Sequence, residues 1–399
     1  MMMRRQFMYP ALVVLMAMGL ATGGCKSPAN SGSSQSSGND IIVGEYGSLT
    51  GPQATFGKST DNAIQLATDE LNANGGIDGR KVKVVTQDDM SQASNAALAV
   101  QNLIDQQHAI AILGEVASSC SQAGGRVCQS KGIPMISPSS TNPAVTAIGD
   151  DIFRVCFIDP FQAAVVARFA HDSLGATRVA VFTNTDQDYS TGFSKNFIEA
   201  FTKMGGTIVI QKSYGGQDTD FRGSLTAIAQ SKPQAILIPG YYQDVASIAK
   251  QARALGITCP LLGGDGWDSP DLVKIGGTAL NGCYFSDHLA IDDPSPAVAK
   301  FVAAYKAKYG QTPDSLAALG YDSANLLFAA MKSAKSLSSS DIRDAVAATK
   351  NFPGITGNIT INAQRNADKP AVIIKIVNGQ FTKYMAISNP DVPLQQKGS

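Results

Sequence analysis

The chain has 399 residues, of which 44% are hydrophobic and 16% charged, with 38 glycines and 18 prolines. That is long enough for two ordinary domains with substantial cores, and the composition excludes a disordered or coiled-coil protein. Formal charge balances at 32 basic against 32 acidic side chains, and Arg4, Arg5 and Lys26 fall in the first 39 residues, so the remainder is slightly acidic and argues against a nucleic-acid partner.

The chain opens with Arg4 and Arg5, an apolar run over 11–21, and Thr22-Gly23-Gly24 ahead of Cys25. A basic start, a short apolar run and small residues read as an export signal, and the run is far short of the ~20 residues a membrane-spanning helix needs. The segment before Cys25 resembles a bacterial lipobox, although Thr22 stands where that motif usually has Leu. The resemblance implies a signal peptide over 1–24 and a lipid on Cys25. It places the protein in the periplasm or on the outer face of the cell membrane. Residues 26–39 (KSPANSGSSQSSGN) have no large apolar side chain, so 25–39 is predicted to be a flexible tether.

From Asp40 onward strands and helices alternate. Apolar runs predict strands at 41–46, 82–86, 109–113, 133–137 and 152–157, and 3.6-residue spacing predicts helices at 58–72, 93–107 and 118–131. After Asp159-Pro160 the alternation restarts, with helices at 161–174, 191–204, 221–230 and 245–255. The intervening strands fall at 179–183, 207–213, 235–239 and 260–263. Repeated units of this length mean parallel sheets covered by helices on both faces, and two series mean two lobes. The tail breaks the pattern, with helices at 296–309 and 316–333 and short strands at 359–361, 371–376 and 381–385. It is therefore expected to cross back and complete both lobes: 40–160 plus about 289–370, and 161–288 plus about 371–399. Ligands of such sheets bind beyond the strand C-termini, which directs attention to loops 47–57, 114–120, 137–143, 184–190, 239–243 and 263–269.

Enzyme motifs fail. Gly51 to Ser59 follows a strand as a phosphate loop would, but five residues separate its glycines where a Walker loop has four, and Pro52 lacks an N–H. His108, His171 and His288 form no metal-ligand pattern, and no G-x-S-x-G elbow occurs. No catalytic residue, cofactor or metal is expected. Of the remaining cysteines, Cys120 and Cys128 would lie roughly 12 Å apart on one helix, too far for a bridge. Cys259 and Cys283 flank a strand–loop–strand unit and form the disulfide candidate, with Cys156 a buried thiol.

Three loops carry chemistry. Ser118-Ser119 opens a helix, where free N–H groups and hydroxyls suit a carboxylate. Loop 137–143 (SPSSTNP) leaves the neighbouring strand with four hydroxyls and no bulk. Across the crevice Asp265 sits between glycines in Gly263 to Asp268, and Tyr189, Tyr241, Tyr242 and Trp267 lie on the same edge. Hydroxyls on one wall, with a carboxylate and aromatics on the other, suit an α-amino acid zwitterion.

At these residues the chain resembles the leucine/isoleucine/valine-binding family of type I periplasmic binding proteins, which feed ABC transporters. The likeness runs from Asp40 to about Met385. It is strongest at Gly47-Ser48-Leu49-Thr50-Gly51-Pro52, Asn72 to Ile77, Gly132 to Pro138, Thr141-Asn142-Pro143 and Phe153-Arg154-Val155. It implies two doubly wound parallel-sheet lobes joined by a three-strand hinge, a non-enzymatic monomer, and delivery of an amino acid to a membrane permease. Position by position, it implies that Ser118, Ser139 and Thr141 hold the carboxylate, and Thr141 and Asp265 the ammonium. Phe56, Tyr189, Tyr241 and Tyr321 would line the side-chain pocket. The chain departs from the family in having Asp265 for Glu, Phe56 for Tyr and Ser139 for Ala, and the shorter acid is expected to leave room beside Trp267. Alternatives are an amide, urea or aromatic acid in the same cleft, a chemosensory role, or, from another class, an exported hydrolase.

Overall fold

A computed structural model describes residues 40–394, which form one compact unit; the export signal, Cys25 and the tether lie outside the described residues. The first sheet consists of β1 (Ile41–Gly47), β2 (Val82–Asp88), β3 (Ile112–Leu113), β4 (Met135–Ser137) and β5 (Ile152–Arg154), parallel throughout in the order β2-β1-β3-β4-β5. Helices α1 (Ala54–Ala73), α2 (Ala93–Asp105) and α3 (Ser118–Lys131) make its crossovers. Strand β1 is buried at six of its seven positions because helices cover both faces, so it reads as an apolar run without alternation.

The second side begins with α4 (Asp159–Arg168), then β6 (Arg178–Asn184), α5 (Asp188–Lys203), β7 (Thr207–Tyr214), α6 (Arg222–Gln230), β8 (Ala235–Leu237), α7 (Tyr242–Ala254), β9 (Leu261–Gly263), α8 (Pro270–Gly276) and β10 (Tyr284–Asp287). The chain then supplies α9 (Pro296–Tyr309) and α10 (Ser315–Ser333), which pack on α1, followed by α11 (Ser339–Ala347) and a hairpin of β11 (Phe352–Gly354) with β12 (Gly357–Ile359). It ends by adding β13 (Ala371–Val377) and β14 (Gln380–Ile387) antiparallel to the edge of the second sheet, whose order is β14-β13-β10-β9-β8-β6-β7. The chain thus passes between the two sides at 154–159, 287–296 and 361–371, the three connections of the hinge.

Strand order reverses at β1 in the first sheet and at β6 in the second, which fixes the crevice beyond their C-termini as the ligand position. Some elements differ from expectation. The strand expected over 109–113 is only Ile112–Leu113, and the strand expected at 359–361 is instead the second arm of the β11–β12 hairpin. Helix α11 was not anticipated; it starts at a serine run in which the Ser338 side chain accepts from the Asp341 N–H, an ordinary N-cap.

Candidate ligand-binding site

At the crevice loops from both sheets bound a small cavity. Its polar side chains are Ser118, Ser139, Thr141 and Asp265, and its apolar walls include Phe56, Val116, Tyr241 and Leu316, with Tyr189 and Gly266 at the second-sheet side.

Local structure explains these positions. Ser118 is the first residue of α3, one turn beyond the end of β3, so its hydroxyl and the free N–H groups of the helix start face the crevice together. Ser139 and Thr141 lie on the loop after β4, which Arg154 supports from behind. That fully buried guanidinium donates from Nη1 to the Ser140 carbonyl and from Nη2 to the Asn142 carbonyl at 2.8 Å. The same loop is tied to the segment after β3 by the Ser137 and Ser140 hydroxyls, which donate to the Glu115 carbonyl at 2.8 and 2.9 Å, as does Ser121 Oγ from α3 at 2.9 Å.

On the opposite wall Gly266 N–H donates to Tyr189 Oη at 3.2 Å, and the Tyr189 and Tyr241 rings stack at 5.3 Å with 6° between planes. Phe56 meets Tyr241 edge-on at 5.8 Å and so closes the apolar end. The glycines around Asp265 follow from this crowding. A Cβ at Gly263 would stand 2.1 Å from the Trp267 ring, and one at Gly264 would stand 2.6 Å from Tyr189 Oη.

Asp265 is 4% exposed. Its Oδ2 lies 3.1 Å from His288 Nε2. A carboxylate only accepts, and burial lowers the imidazole pKa, so the ring is neutral and donates from Nε2. His288 is itself fixed by stacking on Phe157 at 3.8 Å. Three polar atoms of the lining, Asp265 Oδ1, Thr141 Oγ1 and Ser139 Oγ, are buried and have no hydrogen-bond partner in the protein. Leaving such atoms unpaired is costly, so their convergence marks a place built for a polar ligand. Asp159 stands next to this group, held by Gln162 Nε2 at 3.0 Å. Burial pushes its carboxyl up to about 7, reinforced by the Asp265 charge, and its Oδ2 is a further buried oxygen without a hydrogen-bond partner.

Seven of the residues singled out from sequence therefore line one cavity: Phe56, Ser118, Ser139, Thr141, Tyr189, Tyr241 and Asp265. Two do not. Trp267 is wholly buried with Nε1 donating to the Ile238 carbonyl at 3.0 Å, so it braces the loop from inside and gives Asp265 no extra room. Tyr321 packs on Phe301 at 5.1 Å, with its hydroxyl bonded to Glu70, on the α1–α9–α10 face. The expected Cys259–Cys283 bridge is also absent. Both thiols are free, and the Arg253 guanidinium donates to the Cys259 carbonyl at 2.9 Å and to Cys283 Sγ at 3.4 Å. Val116, Gly266 and Leu316 were missed. Leu316 sits just inside the Asp314 N-cap of α10, and that capping signal was the only clue that a residue so far along the chain enters the crevice.

Among the described residues, Asp89, Glu115 and Cys120 are the one set that brings three possible metal ligands within 4.8 Å. Burial pushes the Cys120 thiol up, so it stays protonated and is a poor ligand. Ser48 Oγ already lies 3.0 Å from Asp89 Oδ1 and 2.9 Å from Glu115 Oε1. Backbone N–H groups of Ser48 and Ala117 also donate to Glu115 and that of Ser91 to Asp89, and burial raises both carboxyls, Asp89 to about 6.

A family model described as periplasmic binding protein matches residues 40–380. An amino acid binding protein of Pseudomonas aeruginosa is 29% identical over 74% of this chain and 79% of its own length. Among solved structures, the leucine binding protein LivK of Thermotoga maritima is 39% identical with a TM-score of 0.84, covering 88% of this chain and all of its own. The branched-chain amino acid transporter substrate binding protein LivJ of Streptococcus pneumoniae, in complex with isoleucine, is 34% identical with a TM-score of 0.83, covering 88% of this chain and 99% of its own.

Proposed function

The chain belongs to the periplasmic binding protein family, and from that premise we infer that it captures a branched-chain or similar aliphatic amino acid between two lobes and hands it to an ABC transporter permease. The family consists of non-enzymatic solute-binding proteins outside the cytoplasm. In this reading one lobe is 40–160 with about 289–370 and the other is 161–288 with about 371–399. Cys25 carries the lipid anchor, and the chain works as a monomer.

The observation that carries the amino acid assignment is the set of unpaired polar atoms, Ser139 Oγ and Thr141 Oγ1 facing Asp265 Oδ1 across one small cavity. The Ser118, Ser139 and Thr141 hydroxyls and the α3 N-terminus receive the ligand carboxylate. Asp265 Oδ1, with Thr141, receives the ammonium. Phe56, Val116, Tyr241 and Leu316 enclose an aliphatic side chain. Ligand contact with both walls stabilises the closed arrangement over an open one by its differential affinity, and the permease reads that closure.

The test is isothermal titration of the chain from Asn39 onward with leucine, isoleucine and valine beside 4-methylpentanoate and isopentylamine. One of the amino acids is expected to bind while the analogue lacking the amine and the one lacking the carboxylate do not. Binding of 4-methylpentanoate as tightly as leucine would remove Asp265 from its role; binding of an aromatic acid or amide alone would keep the fold and replace the ligand. Transfer of lipid label to Cys25 in cells, abolished by Cys25→Ser, tests the anchor.

A further inference from the structure

At the rim of the crevice, just outside the cavity, the first residue of α5 gathers hydrogen bonds from the opposite side. Asp188 Oδ2 accepts from Gln122 Nε2 at 2.8 Å and from Ser119 Oγ at 3.2 Å. Its carbonyl accepts from Asn142 Nδ2 at 2.8 Å, and its N–H donates to Ser119 Oγ at 3.3 Å. Ser119 and Gln122 are one turn apart on α3, and Asn142 is on the loop after β4, so these three partners belong to the first-sheet side, while on its own helix Thr191 Oγ1 also donates to the Asp188 carbonyl at 3.2 Å. Each partner is the sequence neighbour of a cavity residue or one turn from it: Ser119 follows Ser118, Asn142 follows Thr141, and Tyr189 follows Asp188 itself. One turn further along α5, Gly192 permits the approach, since a Cβ there would stand 2.9 Å from Asn142 Nδ2.

We propose that Asp188 is a clasp, a positioning residue that holds the crevice shut over a bound ligand without touching it. The proposal rests on the reading that the crevice closes on an amino acid. Its chemistry suits reversibility. The carboxylate lies in the first turn of α5, where a negative charge is favourable, and it is exposed, so opening returns it to water and strands no buried charge. The donors facing it are an amide and a hydroxyl, which hold no competing charge when released. A clasp of this kind adds to the closed state and little to folding. It sets how long the ligand stays, while Asp265 and the hydroxyls set which ligand enters. At the far end of the crevice Thr55 Oγ1 donates to Asp271 Oδ2 at 3.1 Å and Thr55 N–H to Tyr242 Oη at 3.4 Å, beside the Phe56–Tyr241 ring contact, so the same two sides also meet there.

The experiment compares the parent with Asp188→Ala, Asp188→Asn and Gln122→Ala in the chain from Asn39 onward. Leucine binding is followed by stopped flow, and particle size by small-angle scattering with and without leucine. Expected for Asp188→Ala are a roughly tenfold rise in Kd carried by a faster off-rate, an unchanged preference among leucine, isoleucine and valine, and an unchanged ligand-free Tm. Asp188→Asn retains part of the affinity, and the double variant with Gln122→Ala is less than additive. An off-rate within twofold of the parent overturns the clasp, as does a ligand-free Tm that falls as far as the ligand-bound one, which would make Asp188 a folding contact. Should leucine, isoleucine and valine bind to none of the proteins, the amino acid reading fails. Scattering then still decides the clasp with the aromatic acid or amide that binds instead, because the loaded Asp188→Ala chain must be more extended than the loaded parent.

Discussion

Asp265 concentrates the electrostatics of the site in one atom. His288 occupies Oδ2, so Oδ1 is the acceptor left for a ligand cation, and no basic side chain stands among the residues lining the cavity. Asp265→Asn keeps the size of the side chain and removes the charge, while turning an amide N–H₂ toward either His288 Nε2–H or the ammonium. Leucine affinity should fall by about 2–3 kcal/mol, close to a hundredfold, because a charge is then buried without its counter-charge. Affinity for 4-methylpentanoate should hold or rise, and titration calorimetry of the two ligands separates this from a general loss of the site. The residue types of the site were legible because their chemistry resides in short loops at strand ends, where hydroxyls, glycines and an acid have few structural duties. Trp267 and Tyr321 were not legible, because an aromatic ring on the correct edge can point either way and the neighbours decide. Ile238 offers Trp267 a carbonyl inside the core, and Glu70 and Phe301 hold Tyr321 on the helix face.

At the scale of elements, the parallel strands and long amphipathic helices followed from periodicity, since burial on both sheet faces leaves continuous apolar runs. Short elements did not. Strand β3 pairs through two residues on each side, and the β11–β12 hairpin depends on a turn at Gly357, where φ is 109°. The start of α10 shows how a distant element enters the site. Asp314 Oδ1 accepts from the Ala317 N–H at 2.7 Å and from Ser59 Oγ at 2.6 Å, and so sets the helix end that carries Leu316 into the cavity. Asp314→Ala should destabilise the protein by about 1–2 kcal/mol, the usual cost of a lost N-cap, with an unchanged urea m-value. Leucine affinity should fall less than in Asp265→Asn, because Leu316 shifts but stays apolar.

For the whole molecule, the distribution of buried acids sets the response to pH. Burial raises Asp89 to about 6, Asp159 to about 7, Asp244 to about 6 and Asp314 to about 7, and it raises Glu45, Glu115 and Asp287 as well. In the unfolded chain these groups titrate near about 4. Between about 4 and 7 the native state therefore binds more protons than the unfolded one, and stability declines as pH rises. The carboxyls lowered by hydrogen bonds or ion pairs, among them Asp88, Asp172 and Asp293, act only as pH falls below about 4, outside that window. His288, whose imidazole burial lowers, works the other way below about 6.5, one group against seven raised carboxyls. Lys369, lowered by burial to about 8, is charged in both states below pH 7 and contributes nothing there. The ligand-free protein should thus melt higher at pH 5 than at pH 7, and Asp159→Asn should reduce the difference; a Tm that rises from pH 5 to pH 7 would contradict the assignment. Ligand binding couples to the same proton. Asp159 faces Gln162, the Thr141 hydroxyl, Arg154 and Asp265, and an ammonium bound at Asp265 favours its ionised form. Leucine binding near pH 6.5 should therefore release a fraction of a proton, read as a dependence of calorimetric enthalpy on buffer ionisation heat, and Asp159→Asn should abolish that dependence while Asp188→Ala leaves it intact.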